Sequence, residues 1–177
     1  MHIYKIIQSG SMKFELMIYY LQDAPKDFQI KERFEVAVMA AIAGRLSHWE
    51  LAPLPLVALI ILLDQFPRSI YRGTSDMYMG DAVACEVIMR AIFKSKIMDE
   101  VHPVYRLFPC LALSHAEDVQ MQRLCVSEWS RAAQVMESDE PVLAYTSVFK
   151  NNYELIKRFG RFPGKSLFDD AFVSSVI

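Results

Sequence analysis

A chain of 177 residues, 53% hydrophobic and 23% charged, can enclose one substantial core and is far too apolar for a disordered segment. Its formal net charge of −2 offers no global basic field, so nucleic acid and anionic lipid are not expected partners. Three cysteines (Cys85, Cys110, Cys125) and four histidines (His2, His48, His102, His115) lie scattered. They show neither Cys-x-x-Cys nor zinc-ligand spacing, which predicts reduced, buried thiols, no metal and no cofactor.

The opening MHIYKIIQSGSMKFELMIYY is interrupted by Lys5, Gln8, Lys13 and Glu15, unlike a signal-peptide core. With no arginine before Arg33 it is also a poor transit peptide. The expected location is the cytoplasm, with an organelle left open should a processed presequence precede this chain. Residues 12–22 form the first predicted helix, ended by DAPKD. A second covers about 28–43, with Phe28, Phe34, Val38 and Ile42 as its apolar stripe and Gly44 as its C-terminal cap.

LSHWELAPLP connects to a third helix over about 55–65. The apolar run LAPLPLVALIILL, residues 51–63, contains two prolines and falls short of the roughly 20 residues of a membrane span, so a core helix is expected. Pro67 predicts a stop near Gln65, because the residue before proline disfavours helical geometry, and FPRSIYRG becomes a loop. Thr74 or Ser75 is expected to cap a fourth helix to about Lys94, with Asp76 in its first turn. Pro103 opens a short helix through about Leu113. Ser114-His115-Ala116-Glu117 has capping-box spacing and starts a long helix to about Ser138. Pro141 stands in the first turn of the last helix, which Gly160 ends. About seven helices with short connections, and no strand alternation or array repeat, predict an all-α protein with a single domain over 1–177.

Three polar clusters interrupt this apolar frame. In LLDQFPRSIYRG, Asp64, Gln65, Arg68, Tyr71 and Arg72 precede the helix start expected at 74–76. Guanidinium forks beside unpaired helix N–H groups are the ingredients of an anion site. The alternative is that Asp64 and the arginines pair internally and stitch a loop to the core. In SHAEDVQMQR, a helix places His115, Asp118 and Gln122 on one face. A histidine beside a carboxylate can serve as a general base, while Glu117 is otherwise explained by the capping box. In RFGRFPG, Arg158 suits a helix C-terminus and Gly160 its cap, but neither role accounts for Arg161-Phe162-Pro163. No phosphate loop, nucleophile elbow or zincin motif is present in the sequence.

In order, RFEVAVMAAIAGRLSHWE, VALIILLDQFPRSIYRGT, HAEDVQMQR and RFGRFPGKS resemble the mainly bacterial domain of unknown function 924 family, over about residues 28–166. The resemblance implies an all-helical protein of antiparallel helix pairs in a tetratricopeptide-like superhelix, and no established reaction. It also implies that the three polar clusters recur together. Helix-pair folds bring distant segments to one concave surface, where Asp64, Gln65, Arg68, Tyr71 and Arg72 would meet His115, Glu117, Asp118, Gln122, Arg158 and Arg161.

Departures from the family pattern stand at Ala116 (usually serine), Asn152-Tyr153 (usually His-Arg), Gly164-Lys165-Ser166 (usually His-Arg-Asn) and the missing Trp-Phe opening. Two histidines of the pattern are thereby gone. The expected function is a helical binding protein whose arginine-rich pocket takes an anionic small molecule or peptide group. The alternatives are an enzyme using His115 as acid/base with Asp118, or a structural subunit of an assembly. The expected partners are an anionic ligand or a protein, with a homo-oligomer possible.

Overall fold

The computed structural model describes residues 27–137 and 141–163, and every regular element among them is helical. The helix predicted over 12–22 lies outside the described residues. The chain forms two compact units, Met1–Val101 and His102–Ile177.

In the first unit, α1 (Asp27–Ile42) buries Ile30, Phe34, Val38 and Ala41, which recur every three or four residues on one face. Phe34 and Val38 are buried as predicted, and the two ends of the predicted stripe are corrected. Phe28 is 67% exposed and Ile42 is only half-buried, so the inward stripe starts at Ile30. Gly44 ends the helix as predicted, at a φ of 72°. Its N–H donates to the Ala41 carbonyl while Arg45 N–H reaches the Ala40 carbonyl, a Schellman arrangement.

After a 3₁₀ turn (Ser47–Leu51), helix α2 runs without a break from Pro53 to Ile70. Its 18 residues and mean hydropathy of 1.3 suffice to cross a membrane by length and composition. Yet 67% of it is buried within the fold and Asp64 stands in its middle, as in a core helix. The predicted stop at Gln65 is thus corrected, and Phe66–Ile70 is helix rather than loop. The helix survives Pro67 by widening: Ile61–Gln65 form a π turn, in which Phe66 N–H reaches back five residues to the Ile61 carbonyl. Proline has no N–H to give, and its ring crowds the carbonyl four residues earlier, here that of Leu63. In the widened turn this carbonyl abuts Gly80, where an added Cβ would overlap its oxygen.

The single helix expected from Thr74 or Ser75 to Lys94 is instead a 3₁₀ turn (Ser75–Tyr78) followed by α3 (Asp81–Phe93). Thr74 stands at the N-cap of the 3₁₀ turn, but its hydroxyl makes no capping bond and donates instead to the Tyr71 carbonyl at 2.8 Å. Helices α1 and α2 run antiparallel, since Phe34 stacks on Phe66 with ring centroids 4.8 Å apart while Asp27 pairs with Arg72.

In the second unit, a 3₁₀ turn (Pro103–Arg106) leads into α4 (Leu107–Ser114), then α5 (Val119–Ala133) and, after a 3₁₀ turn at Pro141–Ala144, α6 (Tyr145–Phe159). The three helices alternate in direction. Cys125 Sγ donates to the Cys110 carbonyl and Gln122 bonds the Ser114 carbonyl, so α4 and α5 are antiparallel. Trp129 Nε1 donates to Thr146 Oγ1 at one end of the next pair, and Glu117 accepts from Phe162 N–H at the other. Cys110 and Cys125 are buried and Cys85 half-buried, and none of the three forms a disulfide among the described residues. Burial pushes the Cys125 thiol well up, with Cys110 adding to the shift.

The contact between Gly80 and Leu63 is testable. Gly80 has an ordinary φ of −99°, so the position needs the missing side chain rather than glycine's backbone freedom. Gly80→Ala is expected to cost about 1–3 kcal/mol in chemical denaturation, the usual range for overpacking. A neutral result would mean that the Leu63 carbonyl does not fix the entry to α3.

Candidate functional site

The sequence-predicted site residues divide between the two units. Asp64, Gln65, Arg68, Tyr71 and Arg72 belong to the first, and His115, Glu117, Asp118, Gln122, Arg158 and Arg161 to the second.

In the first unit the arginines are already engaged. Asp64 is wholly buried, one helical turn before Arg68. Arg68 Nη1 lies 2.9 Å from the Asp64 carboxylate and donates to the Asp64 carbonyl at 2.7 Å. The same guanidinium forks onto Asp81 at 2.9 and 3.1 Å and lies 5.7 Å from the Tyr78 ring centroid. Burial works against its charge, but Asp64 and Asp81 more than offset that and hold Arg68 above its ordinary pKa. Gln65 donates to the Asp64 carboxylate. Arg72 grips Asp27 through Nε at 2.7 Å and Nη2 at 3.3 Å. Tyr71 donates its hydroxyl to Glu35 at 3.1 Å, and burial, together with that carboxylate, raises the phenol pKa. This cluster therefore ties α2 to both α1 and α3.

In the second unit the predicted capping box is replaced by another arrangement. Ser114 is the last residue of α4 and donates its hydroxyl to the Leu111 carbonyl at 2.7 Å. The N-cap of α5 is Asp118, whose Oδ1 accepts from Gln120 N–H at 2.7 Å and Met121 N–H at 3.0 Å. His115 caps the C-terminus of α4. It and Asp118 thus stand on either side of a helix connection, not on one helix face as the sequence suggested. Reading the Ser-x-x-Glu spacing missed this because Asp118, one residue later, is an equally good cap and begins a better apolar register.

Gln122 is fully buried and closes that connection, donating Nε2 to the Ser114 carbonyl at 2.7 Å and the Ala116 carbonyl at 2.8 Å. Two carbonyl acceptors require the NH₂ to face them, so the amide orientation is set by chemistry. Its Oε1, turned away, is buried and finds no donor among the described residues. Asn152 of α6, which sequence reasoning did not single out as a site residue, also approaches the Ser114 carbonyl, at 3.5 Å.

The C-terminal motif joins this same connection. Gly160 ends α6 at a φ of 71°, and its N–H donates to the Ile156 carbonyl at 2.8 Å. Two residues on, Phe162 N–H donates to Glu117 Oε1 at 2.9 Å. Arg158 and Arg161 are exposed and, among the described residues, form no ion pair; Arg158 lies 4.9 Å from the Phe159 ring centroid. No group of three or more His, Cys, Asp or Glu side chains among the described residues is placed to hold a metal ion.

Residues 10–166 match the family described as bacterial protein of unknown function (DUF924), extending the likeness further toward the N-terminus than the four motifs do. A solved structure from Agrobacterium tumefaciens, described as the protein of unknown function ATU0120, is similar at 31% identity. Its TM-score is 0.71, and the likeness covers 83% of this chain and 78% of that one. Among curated proteins, none matches the chain.

The two arginines of the first cluster separate cleanly by stability. Arg68→Ala leaves a buried carboxylate without its cation and is expected to cost about 3–5 kcal/mol. Arg72→Ala removes a partly exposed pair and should cost about 1 kcal/mol or less. Urea denaturation of both variants checks the contrast; equal losses would show that Arg68 does not anchor Asp64.

Proposed function

The chain belongs to the DUF924 family, and from that premise we propose that it is a helical binding module taking an anionic group of a small molecule or peptide on Arg158 and Arg161. One observation carries this reading. These two guanidinium groups are exposed and without an ion pair among the described residues, whereas Arg68 and Arg72 are already held by carboxylates. A planar fork that is free to bond twice suits a carboxylate or phosphoryl group.

The surrounding polar groups support the same reading. His115 sits at the α4–α5 connection to which the arginine motif is tied, and it can tune the charge nearby. The up-and-down order of α4, α5 and α6 supports the tetratricopeptide-like helix pairing implied by the family resemblance. Reading His115 and Asp118 as a catalytic pair has less behind it, because Asp118 Oδ1 is engaged with two backbone N–H groups.

Thermal-shift titration with inorganic phosphate and with succinate tests the proposal. The wild-type protein is expected to be stabilised by at least one of these anions. The double substitution Arg158→Ala with Arg161→Ala should abolish that shift while leaving unliganded stability within about 0.5 kcal/mol, as for surface positions generally. No wild-type shift with either anion, or an equal shift in the double variant, overturns the proposal.

A further inference from the structure

We infer that Glu117 is a positioning residue for anion capture, holding the backbone on which Arg161 stands; the inference rests on the anion-binding reading above and assigns its geometry. Two adjacent carboxylates, Glu117 and Asp118, beside an anion-binding arginine keep charges that oppose the ligand, so each must do other work to account for its place. Each does. Asp118 caps α5 through Gln120 and Met121 N–H. Glu117 reaches across 45 residues of sequence to accept Phe162 N–H at 2.9 Å.

The consequence falls on Arg161. Its preceding residue, Gly160, is fixed in the left-handed region and bonded to the Ile156 carbonyl at 2.8 Å. Its following residue, Phe162, is fixed by Glu117. The base of this latch is itself stiff, since Gln122 pins the carbonyls of Ser114 and Ala116 immediately before Glu117. Arg161 is therefore held at the backbone on both sides while its guanidinium stays exposed and without an ion pair among the described residues. Binding then has to order only the side chain, and the backbone entropy is already spent in folding. The acceptor is what matters in Glu117, not its charge; the charge is a residual handicap to an arriving anion.

The distinguishing experiment titrates inorganic phosphate against wild type, Glu117→Ala, Glu117→Gln, Arg161→Ala and the Glu117→Ala/Arg161→Ala double variant, with amide hydrogen exchange followed at Phe162. Glu117→Gln keeps a carbonyl acceptor and should bind phosphate as tightly as wild type or tighter, with Phe162 still protected. Glu117→Ala should speed exchange at Phe162 and raise the Kd about five- to tenfold, the loss expected when preorganisation is removed. It should add nothing on top of Arg161→Ala. If Arg161→Ala abolishes binding while Glu117→Ala binds like wild type, the positioning role is overturned and the anion site stands. If Glu117→Gln is as impaired as Glu117→Ala, the role of the neutral acceptor is overturned. If wild type binds neither inorganic phosphate nor succinate, the anion reading fails and this inference fails with it; if it binds succinate alone, the same comparisons are read with succinate.

Discussion

A carboxylate with no exposed surface, in the middle of an apolar helix, sets the terms for the first unit. Asp64 follows the fully buried residues Leu62 and Leu63, where an ionised group without partners would cost several kcal/mol. Arg68 resolves this one turn later, and its fork does more than neutralise. It takes the Asp64 carboxylate, the Asp64 carbonyl and both oxygens of Asp81. One guanidinium thus binds a side chain, the main chain beside a π turn and the first turn of α3, where the helix dipole already favours Asp81. A lysine ammonium lacks the planar fork for this arrangement. Gly80 against the Leu63 carbonyl lies next to Asp81 in sequence, so steric contact and ion pair hold the same register from adjacent positions.

The second unit meets its polar requirements differently. Its buried polar anchor is Gln122, neutral, bonded to two carbonyls of the α4–α5 connection. Neutral amides desolvate at far lower cost than carboxylates, so Gln122 needs no cation, whereas the buried Glu128 of α5 is paired with Arg131 at 3.0 Å. Arg158 and Arg161 lie at the surface, on a motif that Glu117 fastens through the main chain rather than through the guanidinium. The two clusters therefore differ in how their buried polar group is met: Asp64 by a guanidinium, Gln122 by main-chain carbonyls.

Much of this was legible in the sequence. Gly44 and Gly160 marked their helix ends because a left-handed cap strongly favours glycine. The absence of alternating apolar positions marked the all-helical class. Internal pairing of Asp64 with an arginine was visible as one of two readings of a charged string in an apolar run. What stayed hidden depends on tertiary context. Pro67 signals a break by every local rule, and only the packing of α2 on both sides makes a π turn cheaper than ending the helix. The central stripe of α1, Phe34 and Val38, was legible, but its start was not, because Phe28 is as apolar as Ile30. Ser114 and Asp118 were competing caps four residues apart; Asp118 caps α5, and Ser114 ends α4. The bond from Glu117 to Phe162 spans 45 residues and left no local trace.

The departures from the family pattern gain meaning against these contacts. At 116 the pattern has serine and this chain has alanine, yet the observed contribution of that position is its carbonyl, which Gln122 uses and any residue supplies. The substitution removes a hydroxyl without touching the bond that closes the turn. At 152 the pattern has histidine and this chain has asparagine, whose Nδ2 still approaches the Ser114 carbonyl as a donor. An amide keeps hydrogen-bonding capacity while giving up a group that can exchange a proton near neutral pH. Both changes spare the closure of the α4–α5 connection, because the acceptors there are main-chain carbonyls that any residue supplies.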